Sequence, residues 1–207
     1  MLRTSDDADT LGEILFKIFM ENEKHFYPTP ESNEQPTREY SVNFLSSSHP
    51  DAEKAEKTYD TQELVSMMNK WWKQICAENN LDPNDKKLKN INYYIMELGK
   101  NALEVAEGGK IKVILEPNKI KVVVTDDMGW DGDPNDDILY KQGHGLSQVK
   151  RYADEFTIET NGAKFTKVPK KKKLVKSEDT DIKHGSKISF IFPPSATSKA
   201  FLPNSII

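Results

Sequence analysis

Apolar residues recur every three to four positions in two long segments of the chain, which is the spacing of amphipathic helices. The first segment begins at Asp60 and Glu63, whose spacing is that of a capping box. Its apolar positions are Leu64, Met68, Trp71 or Trp72, and Ile75. The second segment begins after Asp82-Pro83-Asn84 and continues to about Glu107, where Gly108-Gly109 is expected to end it. The pattern therefore predicts two consecutive helices.

After Gly109 the apolar period changes to two, which is the period of a half-buried strand. Residues 110–115 and 119–125 flank Glu116-Pro117-Asn118 and predict an antiparallel hairpin. Further strands are predicted at 39–46, 156–160 and 187–192. The second half of the chain is therefore expected to supply most of a sheet.

A loop and a third helix connect the hairpin to the last two strands. The segment 126–142 has no periodicity, and an irregular segment of that length in a compact domain is usually functional. Gly143-His144-Gly145 opens a helix that is predicted to run through about Phe156. Its expected apolar face is formed by Leu146, Val149, Tyr152 and Ala153. The lysine-rich segment 164–176 is expected to be a solvated hairpin loop, with contact to an acidic partner surface or to nucleic acid as the alternative.

A further amphipathic segment lies near the start of the chain. Thr10 and Glu13 form a capping-box pair, and the apolar positions are Leu11, Ile14, Leu15, Ile18 and Phe19. This pattern predicts a helix over 10–24 that ends before the prolines at 28 and 30, with a linker at 28–38. Because such a helix cannot bury its apolar side alone, we expect it to pack on the domain, on a second copy or on a partner.

The composition of the chain excludes some classes of protein and disfavours others. The formal net charge of −4 gives no overall positive field, which disfavours nucleic acid as a partner. Cys76 is the only cysteine, so a disulfide framework and a cysteine-based zinc site are excluded, and a reducing cytoplasm is expected. No apolar run approaches the roughly 18 residues that a membrane span needs, and the first residues lack the pattern of a signal peptide. The sequence predicts a soluble cytoplasmic protein that does not enter a membrane.

The second predicted helix carries a carboxylate and a carboxamide one turn apart. Glu97 and Asn101 are four residues apart, so both side chains leave the same face of the helix. Oxygen ligands suit Mg²⁺, and a carboxylate beside the ion can orient or deprotonate a water. The alternative is an ordinary polar pair on a solvated helix.

Three glycine-containing motifs lie beyond the hairpin. Asp127 and Gly129 follow a strand, an arrangement that lets a flat ring approach the backbone while the acid accepts from an exocyclic amine. Gly143-His144-Gly145-Leu146 precedes a helix, whose free amides are able to face a phosphate. Gly185-Ser186 opens the last strand. Acidic turn residues and a glycine-rich helix entry are the alternatives for the first two.

The order of these elements resembles the Bergerat-fold ATP-binding domain of gyrase and the histidine kinases, and the likeness is closest to the anti-sigma-factor serine kinases. It covers roughly residues 39–193, between an N-terminal region at 1–38 and a tail at 194–207. The resemblance implies an α+β fold: a two-layer sandwich in which a mixed, mostly antiparallel sheet carries helices on one face. It also implies ATP and Mg²⁺ as cofactors.

The resemblance assigns roles residue by residue. Glu97 is similar to the catalytic carboxylate and Asn101 to the magnesium ligand. Asp127, with Gly129, is similar to the acceptor of the adenine amine, and Asp126 is the alternative if the strand register is shifted. The implied triphosphate loop is Gly143, Gly145 and Leu146, with His144 or Lys150 as a cation beside the phosphates. Gly185 and Ser186 are similar to the last sequence motif of the family, near the adenine side. Residues 131–142 are the implied lid over the nucleotide.

Three functions follow from this resemblance. The first is a protein serine/threonine kinase that acts as an anti-sigma-type switch, with a sigma factor or an antagonist-like regulator as its partner. The second is a nucleotide-gated interaction module without turnover. The third is the detached ATP-binding half of a two-component kinase. Asp131 stands where the family has a second glycine, so the sequence leaves open whether ATP is turned over. A second copy of the chain is an alternative partner in all three.

Overall fold

A computed structural model describes residues 37–130, 133–136, 144–178 and 180–193. The predicted helix at 10–24, almost all of the linker and the tail at 194–207 lie outside these residues. None of the helices in the described ranges is long and apolar enough to cross a membrane.

Seven strands of the described chain form one antiparallel sheet with the order β1-β2-β3-β7-β4-β5-β6. The strands are β1 Arg38–Leu45, β2 Gly108–Glu116, β3 Lys119–Asp126, β4 Glu155–Thr160, β5 Ala163–Thr166, β6 Val175–Ser177 and β7 Ser186–Phe192. The predicted hairpin is confirmed as β2 and β3. Because β7 pairs with both β3 and β4, it brings the end of the hairpin next to the end of β4.

Helices cover one face of this sheet. They are α1 Thr61–Glu78, α2 Lys86–Ala106 and α3 His144–Tyr152. Helix α2 packs on β2, β3 and α1, while α3 packs on α2, β4 and β7. The buried residues alternate along each central strand, as in Ile111, Val113 and Leu115 of β2. The predicted α+β class is therefore confirmed, whereas the sheet of the described residues is entirely antiparallel rather than mixed.

Helix α1 begins where the sequence predicts. The Asp60 carboxylate accepts hydrogen bonds from the backbone N–H groups of Gln62 and Glu63 at 2.8 and 2.7 Å. The Glu63 side chain in turn accepts from the backbone N–H of Asp60, which completes the capping box.

The end of α2 corrects the prediction made for the two glycines. Glu107, not Gly108, takes the left-handed conformation that ends the helix, with φ of 54°. Gly108 and Gly109 instead begin β2, where neighbouring backbone is too close for a side chain. A Cβ on Gly108 would lie 2.8 Å from the Phe44 carbonyl oxygen, and one on Gly109 would lie 2.6 Å from the Thr125 carbonyl oxygen.

One prediction for the C-terminal half is also wrong in part. Helix α3 ends at Tyr152 rather than near Phe156, and Tyr152 is 52% exposed rather than part of the apolar face. The lysine-rich segment is a hairpin, as predicted: its ends overlap β5 and β6, which pair with each other. The stretch between these two strands is irregular.

Candidate functional site

The exit of β3 and the start of β7 meet at a hydrogen-bonded acid. Asp126, the last residue of β3, pairs with Ser186, the first residue of β7. The Ser186 hydroxyl donates to Asp126 Oδ2 at 2.5 Å. The second carboxylate oxygen, Oδ1, is buried and has no hydrogen-bond partner among the described residues. Among the described residues, this strong acceptor is therefore left without a donor.

Burial and hydrogen bonding act in opposite directions on this acid. Burial is the largest influence and raises the pKa of Asp126 above its usual value. The Ser186 hydroxyl and nearby backbone N–H groups of Met128 and Ser186 lower the pKa, but none of them reaches Oδ1 in hydrogen-bond geometry. The net shift is upward, so the ionised carboxylate is less favourable here than in water.

The neighbouring carboxylate has a different environment. Asp127 is exposed, and Met128 after it is 51% exposed. Of the two acids that the sequence offers, the structure brings Asp126 rather than Asp127 together with Ser186.

Glycines allow close approach on both sides of Asp126. Gly185 has φ of +78°, and a Cβ there would lie 2.4 Å from the Asp126 carbonyl oxygen. On the other side, a Cβ on Gly129 would lie 2.1 Å from Oδ1 of Asn161. Both predicted glycine positions are thus places where a side chain does not fit without a shift of its neighbours.

Two residues at the end of β4 belong to this site and were not among the predicted residues. Thr160 is 3% exposed; its hydroxyl accepts from the Trp130 N–H at 2.8 Å and donates to the Gly185 carbonyl at 3.2 Å. Asn161 donates to the Trp130 carbonyl at 3.3 Å. The signal was an Asn-Gly pair at 161–162 typical of a tight hairpin turn, but it indicates a turn rather than a site.

Helix α2 brings Glu97 and Asn101 to a common face, with Glu97 half-buried and Asn101 exposed. The first turn of α3 lies against this face, since a Cβ on Gly145 would be 3.4 Å from Glu97 Cβ. Tyr93, one turn before Glu97, has a pKa raised by burial and then by the Glu97 carboxylate. The predicted acid and one predicted glycine of the triphosphate loop are thus in contact.

The two groups of residues lie at the same end of the sheet. Ala102 of α2 is 3.4 Å from the position of a Gly109 Cβ, which is itself beside the Thr125 carbonyl. Thr125 immediately precedes Asp126. Helix α2 therefore crosses β2 near the exit of β3, with Asn101 one residue away from that crossing.

Some predicted residues are only partly described. Gly143, the His144 side chain and most of the implied lid lie outside the described residues. Leu146 is half-buried and packs against the hydrophobic core. The Lys150 ammonium donates to the Lys172 carbonyl, and its pKa is lowered by burial and by the charge of Lys167.

Acidic and metal-binding side chains are otherwise dispersed. In the part of the chain that the structure describes, no three His, Cys, Asp or Glu side chains converge on a point where they could hold a metal ion. Glu97 and Asn101 thus form a two-residue oxygen face, not a complete set of ligands.

The sequence matches no protein-family model and no curated protein.

Proposed function

We propose that this chain binds Mg-ATP in a Bergerat-type site and uses the nucleotide to control or phosphorylate a partner protein in the cytoplasm, in the manner of the anti-sigma-factor serine kinases. The observation that carries the proposal is the Asp126–Ser186 pair, whose buried Oδ1 has no donor among the residues that the structure describes. A purine with an exocyclic amine supplies that donor.

At the adenine end, Asp126 is the proposed acceptor in place of Asp127. The adenine amine donates to Oδ1, while Ser186 holds Oδ2 in place. The Asn161 side chain lies against Gly129 and the Asp126 carbonyl lies against Gly185, so a flat ring would enter on the Gly129 side by displacing the Asn161 side chain. Guanine carries a carbonyl oxygen at the corresponding position, so it would place an acceptor against an acceptor. The site is therefore expected to prefer ATP over GTP.

At the phosphate end, Asn101 and Glu97 would face the magnesium ion. A carboxamide oxygen is a suitable Mg²⁺ ligand, and a nucleotide supplies further oxygens from its phosphates. Bound Mg²⁺ would neutralise phosphate charge in a phosphoryl transfer. Glu97, half-buried and one turn away, is placed to accept a proton from an attacking hydroxyl or water. Gly145 and Leu146 would present the backbone of the α3 entry to the phosphates.

The proposal is tested by calorimetric titration of the chain with ATP, with and without Mg²⁺, and with GTP as the competitor. Asn101→Ala is expected to abolish magnesium-dependent binding. Asn118→Ala, in the exposed turn between β2 and β3, is the matched control and should bind as the parent does. Failure of the parent chain to bind ATP, or equal affinities for Asn101→Ala and the parent, would overturn the proposal.

Turnover is tested separately. Glu97→Ala should bind Mg-ATP but transfer no labelled phosphate to a partner protein. Acid-stable label identifies phosphoserine or phosphothreonine, and acid-labile label identifies the phosphohistidine of a two-component kinase. Binding without any transfer by the parent identifies a nucleotide-gated interaction module.

A further inference from the structure

A group of exposed cations gathers where α3 ends. We call Arg151 and Lys170–Lys173 the basic patch; all of these residues are exposed. Two lysines beneath them hold the lysine-rich loop against the helix. The Lys150 ammonium donates to the Lys172 carbonyl, and the Lys167 ammonium donates to the Ala153 carbonyl just after α3. The loop and the helix end therefore form one surface.

The loop that carries these lysines is held at two places. Its first turn closes by a hydrogen bond from Lys171 N–H to the Val168 carbonyl at 3.2 Å, around Pro169 and a left-handed Lys170 with φ of 67°. Its end is held by the buried Asn135 side chain, which accepts from Leu174 N–H at 2.6 Å and donates to the Leu174 carbonyl at 3.3 Å. A loop ordered in advance loses less conformational freedom when a ligand binds.

The charges of the patch are not balanced within the surface. None of its five cations forms an ion pair with a carboxylate in the described ranges. This concentration of positive charge stands out because the whole chain carries a net charge of −4. The electrostatic complement of the patch is therefore an anionic ligand.

We propose that the basic patch is a docking surface for an acidic segment of a partner protein. Two features favour a protein over a nucleic acid. The Arg151 guanidinium lies over the Tyr152 ring, 5.3 Å from its centroid, so this ring face is not open to a nucleic-acid base. Tyr and Arg side by side are typical of protein–protein contact sites.

The same helix joins this surface to the candidate nucleotide site. The first turn of α3 touches Glu97, and its last residues are Arg151 and Tyr152. A role of docking in nucleotide-dependent control rests on the proposed function, but docking itself does not require a nucleotide. We therefore measure docking in nucleotide-free buffer, so that it fails or succeeds independently of ATP binding.

The probe is a fluorescein-labelled oligo-glutamate peptide, followed by fluorescence anisotropy. The patch variant is K170N/K171S/K172S/K173S, in which Asn suits the left-handed position 170. The matched control is K57S/K70S/K73S/K110S, which removes the same charge from exposed lysines outside the basic patch. Loss of four ion pairs is expected to weaken binding at least about tenfold in the patch variant and to change the control by less than about twofold. Affinity of the parent should also fall as salt rises.

Three results would overturn the proposal: no binding of the peptide to the parent, equal weakening in the control variant, or tighter binding of an oligothymidylate of equal charge than of the peptide. Urea unfolding of the patch variant accompanies the assay. Loss of peptide binding with an unchanged free energy of unfolding assigns the effect to the patch, whereas residual binding that keeps the salt dependence of the parent overturns that assignment.

Discussion

Asp126→Asn is expected to stabilise the protein while weakening its binding of ATP. In the parent, Oδ1 of Asp126 is buried without a partner in the described part of the chain, and burial raises the pKa of this acid. Leaving a buried polar group unsatisfied costs roughly 1–3 kcal/mol, and more when it is charged. The Asn side chain keeps the shape and removes the charge. It also weakens the Ser186 hydrogen bond, because bonds to charged groups are stronger.

The magnitude follows from these opposing effects. Since Asp126 is only half-buried, the cost of its charge lies at the low end of that range, and the weaker Ser186 bond offsets part of the gain. We expect Asp126→Asn to raise the free energy of unfolding at neutral pH by at most about 1 kcal/mol, equivalent to about 2–4 °C in Tm for a chain of this size.

The raised pKa of Asp126 also predicts how the stability difference between Asp126→Asn and the parent changes with pH. An acid whose pKa is raised in the folded state holds its proton to higher pH than the unfolded chain does, so stability falls as pH rises from the usual Asp value to the raised one. Asp126→Asn has no acid at this position, so its stability does not fall in this pH range. The difference in stability between variant and parent should therefore be small in acid, grow through this window and stay constant above it.

Urea unfolding across a pH series measures this difference, and ATP titration measures the functional cost. We expect ATP affinity at least about tenfold lower, since a charged acceptor becomes a neutral amide. Asp127→Asn is the control, because that neighbouring acid is exposed. The burial argument is refuted if Asp126→Asn is less stable than the parent with the same pH profile. Unchanged ATP affinity would refute the adenine assignment.

Three further predictions concern the fold. Glu107→Gly should raise the free energy of unfolding by about 0.5–1 kcal/mol, because glycine accepts the left-handed φ of 54° that ends α2. Glu104→Gly, inside the helix, should lower the free energy of unfolding. Equal effects of the two substitutions in urea unfolding would contradict this prediction. Burial and the charge of Asp82 raise the pKa of the Cys76 thiol to about 12. This thiol should therefore react with an aromatic disulfide reagent only after the chain unfolds. Fast reaction of the native chain would be evidence against its burial. Asn135→Ala removes both hydrogen bonds to Leu174 and should lower the free energy of unfolding by about 1–3 kcal/mol. An unchanged free energy of unfolding in urea would show that these two hydrogen bonds contribute no stability.

The helices and central strands were predictable because their signals are local. The capping box of α1 lies within four residues, and the apolar alternation of β2 and β3 reports directly which face is buried. Strand β6 has no such signal, since its three residues are all exposed and it is defined by pairing with β5. The Glu107 helix end was missed because glycine is the usual residue there, and nearby glycines drew the prediction.

One part of the candidate site was also predictable from local sequence, and the other part was not. Glu97 and Asn101 share a face because of helical spacing, which the sequence states directly. The choice between Asp126 and Asp127 depends on which of them lies opposite Ser186, some 60 residues later in the chain. Strand register across that distance is set by packing of the whole sheet, so a spacing rule within one turn could not decide it.

The two ends of the candidate site have different structural support, and this has consequences for mutation. Asp126 is fixed through hydrogen bonds that join three strands, because Ser186 lies in β7 and Thr160 of β4 ties Trp130 to Gly185. The phosphate end depends instead on the packing of two helices where α3 meets Glu97. A change in α3 therefore reaches the proposed phosphate end directly, and reaches the sheet that holds Asp126 through the contacts of α3 with β4 and β7. Since α3 also ends at the basic patch, a partner docked there would act first on the proposed phosphate end.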